Sequence, residues 1–209
     1  MKTRPTVDQT DGGQRTGRQR RSIRLKGYDY AQAGAYFVTI CTQNRDCLFG
    51  DVVDGEMLLN DAGCIVQTVW EALPNHYPHA DLDAWIIMPN HVHAVIVLDA
   101  GVGAGLRPAR AEATRHGLAE IVRALKSFSS RRINEMRGTC GVTVWQRNYW
   151  ERIIRNEPEL ERIRGYIRDN PARWELDRLH PEQPAFGGPG AFIGCEGGSQ
   201  TRPYEEGGA

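Results

Sequence analysis

Apolar positions along this chain recur with two periods, and the periods change where turn and cap residues stand. From Gly34 the run AYFVTICTQ is β-branched and aromatic and predicts a strand. DCLFGDVVDGEMLLN then predicts a hairpin turning near Asp54-Gly55. Asn60 or Asp61 can cap a helix in which Ile65, Val66, Val69, Trp70 and Leu73 repeat at helical spacing up to Pro74. The run AWIIMPNHVHAVIVL is apolar on both faces, which predicts a strand, interrupted at Pro89-Asn90, in the centre of a covered sheet. A helix from about Leu118 to Asn134 places Leu118, Ile121, Val122, Leu125 and Phe128 on one stripe. Its other side carries Arg123, Lys126, Ser127, Ser130 and Arg131. VTVWQRNYW predicts a short strand, and a last helix runs from about Glu157 to Asp169. Strand, hairpin, helix, strand, helix, strand, helix is the order of an α+β fold, an antiparallel sheet covered by helices. The helices do not alternate with strands regularly enough for a parallel α/β fold.

Three stretches fall outside these patterns. Residues 1–20 are polar and rich in Gly, Gln, Thr and Arg, a composition that predicts a disordered basic arm. Residues 99–114, DAGVGAGLRPARAEAT, read as a flexible insertion, and 176–209 as a poorly ordered, acidic, Gly/Pro-rich tail. One domain over 21–175 is left. The chain has 209 residues and 26 basic against 26 acidic side chains, but the zero balance conceals segregation. Residues 1–26 hold eight Lys/Arg against two acids, and 115–173 hold thirteen against seven. Two basic blocks let one face bind a polyanion while the molecule is neutral. No apolar run approaches the length needed to cross a bilayer, and the N-terminus has charges where a signal peptide is apolar. A cytoplasmic protein without membrane contact is expected. Five cysteines, none in a Cys-x-x-Cys pair, indicate neither a disulfide framework nor a thiolate zinc site.

Candidate chemistry lies in two places. His91 and His93 are two apart in a strand, so both imidazoles point to one face. In the last helix Asn156 and Pro158 signal the start, Leu160, Ile163 and Ile167 form the buried stripe, and Tyr166 and Asn170 lie four apart beside it. Pro171 disfavours helical geometry at Asn170, so the helix should end there with the amide reaching outward. Two imidazoles and an amide oxygen suit a divalent ion such as Mn²⁺ or Mg²⁺ with open positions, better than a closed zinc site. Such an ion would act on a phosphodiester as a Lewis acid, with Tyr166 as nucleophile. Tyr149 is the rival, but it lacks a polar partner four residues on.

These residues resemble a known family. His91-Val92-His93 is similar to the HUH motif of single-tyrosine nucleases, and YIRDN, Tyr166 to Asn170, to their tyrosine helix. RRSIRLKGYDY (20–30), GAYFVTICT (34–42), MPNHVHAVIVL (88–98) and WQRNYWERIIRNEPELERIRGYIRDNPARW (145–174) together resemble the REP-associated tyrosine transposases over about residues 20–175. At Arg152 the chain departs from the family pattern, in which histidine is frequent. The resemblance implies a ferredoxin-like fold with a C-terminal tyrosine-bearing helix. It implies a nucleoid-associated, metal-dependent endonuclease that cuts and rejoins single-stranded, hairpin-containing DNA near repeated extragenic palindromes. Tyr166 would form a 5′-phosphotyrosine link, with His91, His93 and Asn170 holding Mg²⁺ or Mn²⁺. Arg18, Arg20, Arg21, Arg24 and Lys26 in the arm, and Arg123, Lys126 and Arg131 in the helical stripe, are candidates for backbone contacts with DNA. Monomer and homodimer are both open. Two other readings stand beside this one: a non-catalytic hairpin-binding protein, and a metal-dependent phosphodiesterase that uses water.

Overall fold

The run from Gly34 forms strand β1 (Gly34–Cys41), and a separate two-stranded hairpin of β2 (Gly50–Val53) and β3 (Glu56–Leu59) follows. Its turn residues Asp54 and Gly55 have φ of 53° and 77°, the left-handed pair that matches the twist of a tight hairpin. The computed structural model describes residues 32–99 and 116–183. The arm with Arg18, Arg20, Arg21, Arg24 and Lys26, the insertion beyond Asp99, and the chain from 184 onward lie outside the described residues.

Helix α1 (Asp61–Glu71) starts where Asn60 Oδ1 accepts the Gly63 N–H at 3.1 Å. Pro74 ends it and sits in the first turn of a short helix, α2 (Leu73–His76). The long apolar run is where the structure departs from the single interrupted strand predicted. Pro89 and Asn90 form a two-residue turn between antiparallel strands β4 (Ala80–Met88) and β5 (His91–Leu98), which pair from Met88 and His91 outward. Both turn residues are buried, and their carbonyls accept from Leu48, Phe49 and Thr42.

Helix α3 (Leu118–Arg137) is three residues longer than predicted and ends on left-handed Gly138. Phe128, predicted on its buried stripe, is 51% exposed. Ser129 takes the inward position instead, with its hydroxyl between the Leu125 carbonyl (2.6 Å) and the Trp145 indole N–H (2.9 Å). The predicted strand 142–150 is displaced toward the C-terminus, as β6 (Trp150–Ile154). Only Trp145 keeps a bridge, to Thr42, and 146–149 loop out between. Helix α4 (Glu157–Arg168) is capped by Asn156, whose Oδ1 accepts from Glu159 N at 2.9 Å. Arg152 pairs with Glu159 at 2.6 Å.

The main sheet has the order β4-β5-β1-β6 with every neighbour antiparallel, the ferredoxin-like arrangement. Alternation assigns its faces. Tyr36, Val38 and Ile40 of β1 with Val92, Ala94 and Ile96 of β5 meet α1 and α3 in the larger core. Phe37 and Val95 meet Ile163 and Ile167 of α4 on the other face. Among the described residues no helix is long and apolar enough to cross a membrane. Residues just past the predicted boundary at 176 are described and packed. A 3₁₀ helix spans Pro171–Leu176, and Leu179 beyond it is 2% exposed, so packing continues past the predicted boundary.

An ion pair fixes α4 on the sheet. A bulge in β4 between Leu82 and Trp85 inserts one residue. Asp83, within that bulge, accepts from Arg164 Nε (2.7 Å) and Nη2 (2.5 Å), and Arg164 also pairs with Glu157 and Glu161. The bidentate bond to Arg164 holds the Asp83 carboxyl below its usual 3.8. As pH falls, the unfolded chain protonates Asp83 before the folded one does, so this contribution is full above pH about 4 and is lost on further acidification. Urea unfolding between pH 5 and 3 is expected to show a shallower acid loss in Asp83→Asn than in the unsubstituted chain.

Candidate functional site

His91 opens β5 and His93 follows on the same face; both are fully buried, with ring centroids 4.4 Å apart. Their register partners on β1 are Cys41 and Thr39. The hydrogen bonds fix the His91 tautomer. Asn90 Nδ2 donates to the Arg45 carbonyl (3.1 Å) and the Leu179 carbonyl (2.7 Å), so its Oδ1 is the atom that faces His91 Nδ1 at 2.8 Å. His91 therefore carries its proton on Nδ1, and Nε2 presents a lone pair. That Nε2 is buried and meets no hydrogen-bond partner among the described residues. Such an atom is costly unless something else accepts its lone pair. His93 is held between the Thr39 hydroxyl, 2.9 Å from Nδ1, and the Tyr166 hydroxyl, 3.2 Å from Nε2.

Burial pushes His91 down to about 3, with the charge of Arg45 adding. Burial, and then the neighbouring His91, hold His93 well below its ordinary value. Both imidazoles are neutral at pH 7, the form that ligates metals. Burial pushes the Tyr166 phenol up, Asp177 adds to this, and the Asn170 amide and Arg178 oppose it.

The structure brings Tyr166 and Asn170 to the histidines, and Asn170 differs from expectation. It stays in the right-handed helical region (φ −61°, ψ −42°) despite Pro171, which opens the 3₁₀ helix. Its side chain reaches from the helix end into the packed fold and is 2% exposed. Nδ2 donates to Asp177 Oδ2 at 3.1 Å, while buried Oδ1 has no hydrogen-bond partner among the described residues. Asp177 is the site residue that sequence reasoning missed. One ligand atom each from His91, His93 and Asp177 lie within 4.8 Å of one another. Its segment is placed by Trp174, whose ring packs 5.9 Å from His91, and by buried Leu179. No local spacing in the sequence marks Asp177.

The predicted basic stripe is placed elsewhere. Helix α3 covers the face of the sheet opposite the histidines, and Arg123 on it is paired with Glu120. Arg131 is exposed on the same helix. Lys126 is engaged within the fold: Nζ donates to the carbonyls of Gln146 (2.9 Å), Arg147 (3.4 Å) and Asn148 (3.0 Å), the loop that interrupts strand pairing. Burial pulls the ammonium down to about 8, still charged at pH 7. Lys126→Ala strands these acceptors and is expected to lower stability by about 1–3 kcal/mol in denaturant unfolding.

A ferredoxin-like sheet that presents a His-x-His pair to a tyrosine on the packed helix defines the class of protein. No family model matches the chain. It is 40% identical over 172 residues to an uncharacterized protein of Haemophilus influenzae, covering 77% of this chain and 93% of that one. A second Haemophilus influenzae protein, assigned by name to the REP-associated tyrosine transposases, is 24% identical over 148 residues, 69% of this chain and 74% of its own. The fold is shared with a REP-associated tyrosine transposase whose structure is bound to a REP hairpin (TM-score 0.51, 19% identity, 75% of this chain and 77% of that one). In sequence to the second of these proteins, and in fold to the third, this chain is similar to the REP-associated tyrosine transposases.

Proposed function

We propose that the protein is a metal-dependent endonuclease that cleaves and rejoins single-stranded DNA beside REP-type hairpins through a 5′-phosphotyrosine on Tyr166. The observation that carries this reading is the Tyr166 hydroxyl, 3.2 Å from His93 Nε2, beside the buried unpartnered Nε2 of His91. The relative bound to a REP hairpin supports the choice of DNA.

The donor set fits a divalent cation, Mn²⁺ or Mg²⁺. Two neutral imidazoles and a carboxylate converge, and His91, His93 and Asp177 would hold the ion, with Asn170 bonded to that carboxylate and its own buried amide oxygen without a hydrogen-bond partner among the described residues. Such an ion supplies Lewis acidity at a phosphodiester oxygen and positive charge that favours the phenolate. The protein's own groups do the rest. Asn90 fixes the His91 tautomer, Thr39 orients His93, and the packing of α4 on Phe37 delivers the tyrosine to the same point. The Tyr166 oxygen bonds to phosphorus as the bond to the 3′ oxygen breaks. A 5′-phosphotyrosine and, after proton uptake, a 3′-hydroxyl result. Reversal rejoins the strand by exchanging one phosphodiester for another, so no energy-rich cofactor is consumed.

The test is incubation of an end-labelled single-stranded hairpin from the flanking repeats with Mn²⁺ or Mg²⁺, followed by a denaturing protein gel. A labelled adduct mapped by mass spectrometry to Tyr166 supports the reading. Cleavage without an adduct replaces it with a water-using phosphodiesterase, and binding without cleavage with a hairpin-binding protein.

A further inference from the structure

Built from residues the cleavage chemistry does not use, and joined to the histidine pair through Asn90, is an open cleft of about 760 Å³. That volume is in the range of small-ligand sites. Three segments line it: the loop after β1 with Asn44, Arg45 and Asp46, the residue Gln146 before β6, and His180 with Gln183. Each is tied to the histidines through a single residue. Asn90, which orients His91, donates to the carbonyls of Arg45 and of Leu179, the neighbour of His180. The His180 ring packs 4.8 Å from Trp174, which packs against His91. The Gln146 N–H donates at 2.9 Å to the carbonyl of Cys41, the register partner of His91. The loop after β1, the residue before β6 and the segment after Trp174 thus carry both the lining of the cleft and the supports of the histidine pair.

The loop after β1 is held in an unusual form. Asn44 and Arg45 have φ of 56° and 62°, the left-handed region that an arginine seldom occupies. Thr42 Oγ1, donating to the Asp46 carbonyl at 2.8 Å, and Asp46 N, donating to the Gln43 carbonyl at 3.1 Å, hold it there. Strained backbone of this kind clusters at ligand clamps. Its side chains are also informative. Carboxamides, a carboxylate and an imidazole are the groups that read the edges of unstacked bases. The Asp46 carboxylate repels phosphate and accepts hydrogen bonds from an exocyclic amine, which adenine, guanine and cytosine carry and thymine lacks.

We propose that this cleft binds one unpaired nucleobase flanking the scissile phosphate and selects a base with an exocyclic amine through Asp46 and Gln146. The proposal rests on the reading of the protein as a single-strand DNA endonuclease and adds to it where sequence preference beside the hairpin arises.

The experiment is a selection. A pool of DNA hairpins with randomised stems and randomised single-stranded flanks is bound by the full chain carrying Tyr166→Phe, which stops turnover, and the retained DNA is sequenced. The same chain with Asp46→Ala, and separately with Gln146→Ala, is run in parallel, with thermal unfolding as a check of the fold. Thymine should be depleted about tenfold at one flanking position with the intact cleft. Asp46→Ala should erase that depletion there and leave stem selection and the other positions unchanged. Gln146→Ala should weaken it at the same position. Identical preferences in all three proteins overturn the assignment of the cleft and leave the endonuclease reading standing. Equal loss of binding to every flank makes Asp46 structural and also overturns the assignment. If the intact cleft retains no hairpin over unstructured DNA, the endonuclease reading fails, and the inference with it.

Discussion

Tyr166→Phe is expected to abolish the protein–DNA adduct and to lower strand cleavage by at least about 10³-fold, the scale of effect when a nucleophile is removed. Hairpin binding should persist, because the substitution keeps the ring that packs edge-on against Phe37 at 6.1 Å and near His93 at 5.2 Å. What is lost is one oxygen and its 3.2 Å hydrogen bond to His93. That should destabilise the fold by about 1–2 kcal/mol, measurable in urea. Tyr149→Phe is the control: the Tyr149 ring lies under the Lys126 ammonium at 5.4 Å, on the packed loop, and its variant should form the adduct normally. Cleavage that survives Tyr166→Phe would show that water, not the phenol, attacks.

Asp177→Ala is expected to weaken Mn²⁺ binding by at least about 10- to 100-fold, since loss of even an outer partner of a ligand has an effect of that size. The electrostatic reason is direct. His91 and His93 are neutral, so Asp177 is the one anion in the cluster, and a divalent charge in a buried site needs a counter-charge. Spin-resonance titration of Mn²⁺ reads the affinity without reference to cleavage. His91→Ala should fall at least as far, and Asn170→Ala less. Unchanged Mn²⁺ affinity in Asp177→Ala would remove the carboxylate from the ligand set and return that place to Asn170.

What could be read in the chain is what local periodicity encodes. The strand from Gly34, the caps at Asn60 and Asn156, the buried stripe of the last helix and the shared face of His91 and His93 all follow from repeats within about ten residues. The reversal at Pro89-Asn90 did not follow, because β4 and β5 are each apolar on both sides and a continuous run hides a turn. Lys126 looked like a solvent-facing cation because its three carbonyl partners lie 20 to 22 residues away. Asp177 was invisible for a similar reason. Its role depends on a 3₁₀ turn that returns the chain to β5, and no short spacing records such a return. Asn170 was assigned to the site by its spacing from Tyr166, but the inward turn of its amide is set by Asp177.

The junction at Asn90 also bears on biosynthesis. One carboxamide joins the loop at Arg45, the start of β5 and the segment at Leu179, so three stretches made far apart in time must meet before His91 is oriented. β6 reaches β1 only after more than a hundred intervening residues are synthesised, and pairings of such long range form slowly. A ribosome that has released the histidines but not yet Leu179 carries a chain whose proposed cutting centre is unassembled. The nascent protein thus passes through most of its synthesis with this centre incomplete.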